Sequence, residues 1–178
     1  MLKKVRGFTL IELLIVVAIL GILAALLIPN AITAIQKAKQ KSTMKDITVI
    51  STAITDYITD NGIAPVGQAG TYAAGAGGFY AALSPFYIKV LPITDQWGTG
   101  FNVWCGTAAT GQYGITALAD DFVVASLGRD GEGDGSSFDA ANPEAGLYVV
   151  SESAHFNFDL VMWNGSWIRA PRTAAAGT

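Results

Sequence analysis

Cysteine, histidine and charge are all scarce in this chain. Cys105 is the only cysteine, so no intrachain disulfide can form. It reads as a small core hydrophobe, with an intermolecular bridge as the alternative. His155 is the only histidine, so a soft-metal site lacks partners and no nucleophile–base spacing points to a catalytic triad. His155 itself reads as a packed or exposed polar residue. Charged residues make up 14% of the chain against 51% apolar, and the formal net charge is -3. An acidic chain without a basic patch is a poor general nucleic-acid binder. The glycines at 62–78 have no strand–turn–helix context, so they do not form a phosphate-binding fingerprint. The acidic residues gather in one glycine-rich loop rather than on opposing strands, which argues against paired-carboxylate glycoside chemistry. These absences together exclude no activity outright, but they leave the enzyme hypothesis without a constellation.

What the chain does have is concentrated at its N-terminus. Lys3, Lys4 and Arg6 form a short basic leader. After Glu12 no charged residue appears until Lys37. A bilayer core of about 30 Å needs about 20 largely apolar residues at a rise of about 1.5 Å each. Leu13–Ile35 is long enough, with the leader held on the cytoplasmic side by the positive-inside bias. No small-x-small cleavage site follows, so this is not an ordinary secretory signal. Glu12 is the odd residue, because a carboxylate at bilayer depth costs roughly 2.5–3.5 kcal/mol and normally has a partner or a function. No downstream cation lies near enough to be that partner. If the chain is cut after Gly7, Phe8 gains a free α-amine. In an assembly, that amine on one subunit would pair with Glu12 on a neighbour and fix axial register.

Gly7-Phe8-Thr9-Leu10-Ile11-Glu12 resembles the prepilin peptidase recognition site of type IV pilins and type II secretion pseudopilins. The resemblance implies cleavage between Gly7 and Phe8, and N-methylation of Phe8. It implies a precursor stored in the inner membrane with its head in the periplasm. Extraction into a helical homopolymer would follow, with prepilin peptidase, an inner-membrane assembly platform and minor pseudopilins or pilins as further partners. Gly21 and Pro29 are weak points in the helical run. The resemblance implies that the stretch between them extends or melts in a filament; the backbone alone allows a simple kink equally well.

Beyond Pro29 the pattern becomes amphipathic. Met44, Ile47, Ile50, Ile54, Tyr57 and Ile58 mark one helical face, and Lys37, Lys39, Lys41 and Lys45 form a basic collar. Asp60-Asn61-Gly62 suits a helix stop. The glycine-rich stretch that follows reads as a loop, and Phe79–Phe86 as a short helix. Phe101–Cys105, Phe122–Ser126, Leu147–Val150 and Leu160–Trp163 read as strands. Asn164-Gly165 is a hairpin turn into Trp167-Ile168, and Ala170–Thr178 is a frayed tail. The expected fold is α+β, with a long N-terminal helix packed on a small antiparallel sheet. The expected divisions are a leader at 1–7, a membrane or filament-core half-helix at 8–36, an amphipathic half-helix at 37–61, a head at 62–170 and a tail at 171–178.

Pro92-Ile93-Thr94-Asp95-Gln96-Trp97-Gly98 resembles the segment that precedes the head sheet of major pseudopilins. Physically, Trp97 is a core anchor and Gly98 permits a tight turn. The strongest chemical signal in the head is the run from Ser126 to Asp139. Asp130, Glu132, Asp134 and Gly135 match the front of an EF-hand loop, but Ala141 stands where the bidentate Glu belongs and helical flanks are absent. Ser126-Leu127-Gly128-Arg129-Asp130-Gly131 resembles instead the first half of the major pseudopilin calcium loop. Asp159-Leu160 with Trp163 resembles the second half, and a longer insertion, Ser136–Asn157, separates them. The resemblance implies Ca2+ held by the Leu127 carbonyl, Asp130 and Asp159. Asp139 competes with Asp159, and Asp134 is added on local spacing. The alternative is a solvated acidic turn.

The sequence thus points to a non-enzymatic filament subunit of the major pseudopilin kind, working in protein secretion. A type IV pilin making long surface fibres for adhesion, motility or DNA uptake is the alternative. A membrane-anchored binding module is a third class, and it would require Glu12 to be dispensable.

Overall fold

The computed structural model describes residues 7–75 and 78–172. The leader cations Lys3, Lys4 and Arg6, Gly77, and residues 173–178 of the expected tail lie outside the described residues. The chain divides into two compact units, Met1–Lys37 and Ala38–Thr178.

Helix α1 runs from Leu10 to Asn61 and contributes to both units. In the first unit it is long and apolar enough to cross a membrane, by length and composition. Its large side chains are exposed, Leu13, Leu20, Leu26 and Ile32 by more than half. A helix exposed and apolar all round needs lipid or other chains around it. In this single chain α1 is uninterrupted through Gly21 and Pro29, as one long helix requires; the opening implied between them belongs to a filament. Pro29 lacks the N–H that would reach Ala25, but only that one bond is lost. The side chains of the next turn add bonds to the same backbone: Asn30 Nδ2 donates to the Leu26 carbonyl at 3.3 Å and Thr33 Oγ1 to that of Pro29 at 3.0 Å.

In the second unit α1 presents the expected face. Ile47, Ile50 and Ile54 are fully buried, while Met44, Tyr57 and Ile58 pack at its margin. Burying each such side chain is worth roughly 1.5–3 kcal/mol. Thr43, Gln40 and Ser51 are buried beside them. The helix ends at Asn61, and Gly62 at φ 77° turns the chain out with its N–H on the Ile58 carbonyl at 2.7 Å.

Among the described residues six strands follow: β1 Ala69–Thr71, β2 Asn102–Cys105, β3 Phe122–Ser126, β4 Leu147–Tyr148, β5 Leu160–Trp163 and β6 Ser166–Pro171. A one-and-a-half-turn helix, α2 Phe79–Leu83, lies between β1 and β2. The sheet order is β1-β2-β3-β5-β6-β4. All pairs are antiparallel except β4 with β6. The central strand β3 is buried at all five positions because both faces of the sheet are covered. Val124 and Phe122 pack with the α1 isoleucines, Val103 and Leu160. Val123 and Ala125 pack on the other side with Ile115, Val161 and Ile168.

Three elements differ from the sequence reading. Strand β1 forms inside the glycine-rich stretch, because β2 supplies the backbone partners that a short run of small residues cannot announce. The sheet is not purely antiparallel, since the insertion returns Leu147 and Tyr148 alongside Ala170 and Pro171. The tail is held further than expected: Ala170 is buried, and the Arg172 N–H donates to the Tyr148 carbonyl at 2.8 Å.

Candidate functional site

The start of α1 is a reciprocal cap. Thr9 precedes the first helical residue, and Glu12 is the third residue of the helix. Glu12 Oε2 accepts from the Thr9 N–H at 2.9 Å and from Thr9 Oγ1 at 2.8 Å, while the Glu12 N–H donates to Thr9 Oγ1 at 3.3 Å. Each residue satisfies a backbone or side-chain group that the helix end leaves open. In the single chain, then, Glu12 has a partner, and it is upstream and neutral. The Thr-x-x-Glu spacing that signals this cap was in the sequence. Gly7 and Phe8 stand just outside the helix, both exposed, with open space around the Gly7 α-carbon. The Gly7–Phe8 peptide bond is therefore reachable.

In the head, two motifs meet. Asp95 is buried, and its Oδ1 accepts the N–H groups of Trp97 at 2.9 Å and Thr99 at 3.0 Å. Its Oδ2 accepts the Ser126 hydroxyl at 2.7 Å. Gly98 has φ 96°, which a tight turn requires and a side chain resists. Trp97 packs against the main core. Gln96 Nε2 then donates to Asp46 on α1 at 3.1 Å.

The two halves of the acidic loop come together across the insertion. The Arg129 N–H donates to the Phe156 carbonyl at 2.8 Å, and Gly128 lies so close to Asn157 that a β-carbon would stand 2.7 Å from its carbonyl oxygen. Asp134 and Asp159 are in contact. The Asp134 N–H donates to Asp159 Oδ2 at 3.3 Å, and the Asp159 N–H to Asp134 Oδ2 at 3.2 Å. Tyr113 O–H also donates to Asp159 Oδ2, at 3.0 Å. Burial, then the Asp134 charge, raise Asp159 to about 6. Burial works the same way on Asp134, but bonds from the Ser136 hydroxyl and N–H, the Asp159 N–H and the Arg169 charge outweigh it and hold Asp134 below its ordinary value.

The residues present do not fit the cation set that the sequence suggested. Among the described residues no three His, Cys, Asp or Glu side chains gather into a group that would hold a metal ion. Of Leu127, Asp130, Asp134, Asp139 and Asp159, only Asp134 and Asp159 are bonded to each other. Asp130 Oδ1 instead accepts the Glu132 N–H at 3.2 Å, and Asp139 Oδ1 the Ala141 N–H at 2.9 Å, each closing its own turn. Asp134 Oδ2 is already taken by Arg169, whose Nε and Nη2 both lie 2.5 Å away. Arg169 carried no signal in the sequence, because only the folded sheet brings β6 under the loop. Among the described residues Asp159 Oδ1 is buried without a donor. It borders a cavity of about 440 Å3, which suits the ordered water that commonly satisfies such an atom. His155 Nδ1 accepts the Ser151 N–H at 3.3 Å and its ring packs on Phe158, so it is a packed polar residue.

Residues 2–28 match the family model described as the prokaryotic N-terminal methylation motif. Over a much longer span, the chain is 34% identical to the type II secretion system core protein G of Aeromonas hydrophila, covering 73% of this chain and 87% of that one. The chain belongs to the core protein G family. Identity to the core protein G of Pseudomonas aeruginosa is 36% over 78% of this chain and 93% of that one. For Vibrio cholerae it is 32%, over 79% and 93%. No solved structure gives a significant match. As a member of that family, the chain combines the methylation motif with an α+β head on a long helix, the layout expected of a pilin-like subunit.

Proposed function

We propose that the chain is a structural subunit, without catalysis of its own, that polymerises through α1 into the periplasmic pseudopilus of a type II secretion system. The observation that carries this is the first unit of α1. It exposes an apolar surface on every side directly after a Gly7–Phe8 junction within the methylation motif. Lipid satisfies that surface before assembly, and neighbouring copies satisfy it afterwards.

The steps follow from the chain's own atoms. Cleavage of the Gly7–Phe8 peptide bond frees the Phe8 α-amine one residue before the Thr9–Glu12 cap. The amine of one subunit then meets the Glu12 carboxylate of another, a charge-assisted bond strengthened by the dry helix bundle. Glu12 arrives already oriented by Thr9. Methylation of Phe8 leaves the amine basic. Gly21 and Pro29 would set where the packed helix opens, and a filament map with helix unbroken from Gly21 to Pro29 would reject that step. Before assembly the precursor sits in the inner membrane with the head in the periplasm. Its partners are further copies of itself, prepilin peptidase, the inner-membrane platform and minor pseudopilins.

Deletion of the chain from its native host tests the reading. Loss of specific proteins from the medium, with their accumulation in the periplasm and no loss of surface fibres, is expected. Unchanged secretion together with the disappearance of long labelled fibres would make it a pilin instead.

A further inference from the structure

We propose that the Arg169 guanidinium takes the place of a divalent cation in this head, so that the loop between β3 and β5 is closed without metal.

The guanidinium closes the loop from its β6 side. It reaches Asp134 Oδ2 through two nitrogens, and that same oxygen accepts the Asp159 N–H. One positive charge thereby ties the loop, through Asp134, to the residue that leads into β5. It also ties both to β6, which carries Arg169. The pair is largely shielded, with the two side chains 18% and 14% exposed. The guanidinium carbon lies 4.7 Å from the Phe158 ring centre and 5.7 Å from that of Tyr148. Two aromatic faces hold a cation well and fix its orientation. Tyr148 belongs to the insertion and is itself bonded to α1, its hydroxyl accepting Gln40 Nε2 at 3.1 Å. The insertion thus supplies part of the seat for Arg169.

A calcium ion would compete badly here. It needs about six to eight oxygens, and Asp130 and Asp139 each give one carboxylate oxygen to their own turn instead. At Asp134 it would also stand beside a fixed positive charge, which repels it.

Thermal unfolding of the full-length chain in detergent tests this, and it does not depend on filament assembly. The wild-type midpoint in excess EDTA and in excess calcium should agree to within about 1 °C. Calorimetric titration with calcium should show no stoichiometric uptake. Arg169→Gln should lower the midpoint in EDTA by several degrees and recover part of it in calcium, because Asp134 and Asp159 then lack their cation. A wild-type midpoint that falls on chelation and returns with calcium overturns the proposal, whether or not the variant folds. So does an Arg169→Gln chain as stable as wild type, or one whose loss is the same in both buffers.

Discussion

The Ser126 hydroxyl donates to Asp95 Oδ2 at 2.7 Å, and both residues are buried. This one bond joins the end of the central strand to the turn that precedes β2. Asp95→Ala removes the acceptor for that hydroxyl and for the N–H groups of Trp97 and Thr99. Leaving such groups unpaired should cost on the order of 3 kcal/mol, lowering the unfolding midpoint by roughly 10 °C. Ser126→Ala removes only the donor and should cost about 1 kcal/mol. A calorimetric scan of both variants that found Ser126→Ala the more damaging would show that Asp95 is not the anchor of this turn.

The pair also shows what the sequence could and could not announce. Asp95 and Ser126 each stood in a recognisable run, but nothing in either run said that they touch. Local signals were read well where one element sets its own conformation: the α1 face, the Gly62 stop, β3, and the Asn164-Gly165 turn with φ of 45° and 81°. Long-range pairing was not. Strand β1 depends on β2, β4 depends on β6, and Arg169 meets Asp134 across 35 residues. A cation supplied by the chain itself leaves no local pattern, whereas acidic residues between glycines leave a strong one. The pattern therefore announces acidic ligands but not the ion pair that Arg169 makes with Asp134.

Glu12 caps α1 and, in the proposed assembly, pairs with a neighbour's amine; two substitutions divide these roles. Glu12→Gln keeps an oxygen for the Thr9 N–H and hydroxyl, so the helix start survives. It cannot pair with a neighbour's amine by charge. Glu12→Ala loses both. If charge pairing drives assembly, both variants should remain in the membrane and fail to form cross-linked polymers. Efficient polymers from Glu12→Gln alone would mean that the cap, not the charge, is what assembly requires.

Stability should depend on pH through the Asp134–Asp159 pair. Asp159 titrates higher in the fold than in the unfolded chain, raised to about 6 by burial and by Asp134. Its contribution is therefore fully present below its ordinary carboxylate value and is lost as pH rises to about 6. Asp134 is lowered, so its contribution is present above the ordinary value and lost as pH falls below it. Unfolding midpoints measured across this range should decline on the alkaline side as Asp159 ionises. Asp159→Asn should flatten that decline while leaving the acid-side loss in place. An unchanged profile in the variant would assign the decline to other groups.

Cys105 should be chemically silent in the folded chain. It is 5% exposed, and burial alone pushes its thiol up to about 12. Reactivity needs the thiolate, and burial withholds it here. A maleimide reagent at neutral pH should label the native chain only as fast as the head opens, and should label it rapidly in denaturant. Mild oxidation should give no disulfide-linked dimer. Cys105→Ala should cost on the order of 1 kcal/mol through lost packing, with assembly retained. Rapid native labelling, or a dimer that reductant dissolves, would instead place this thiol at a contact between subunits.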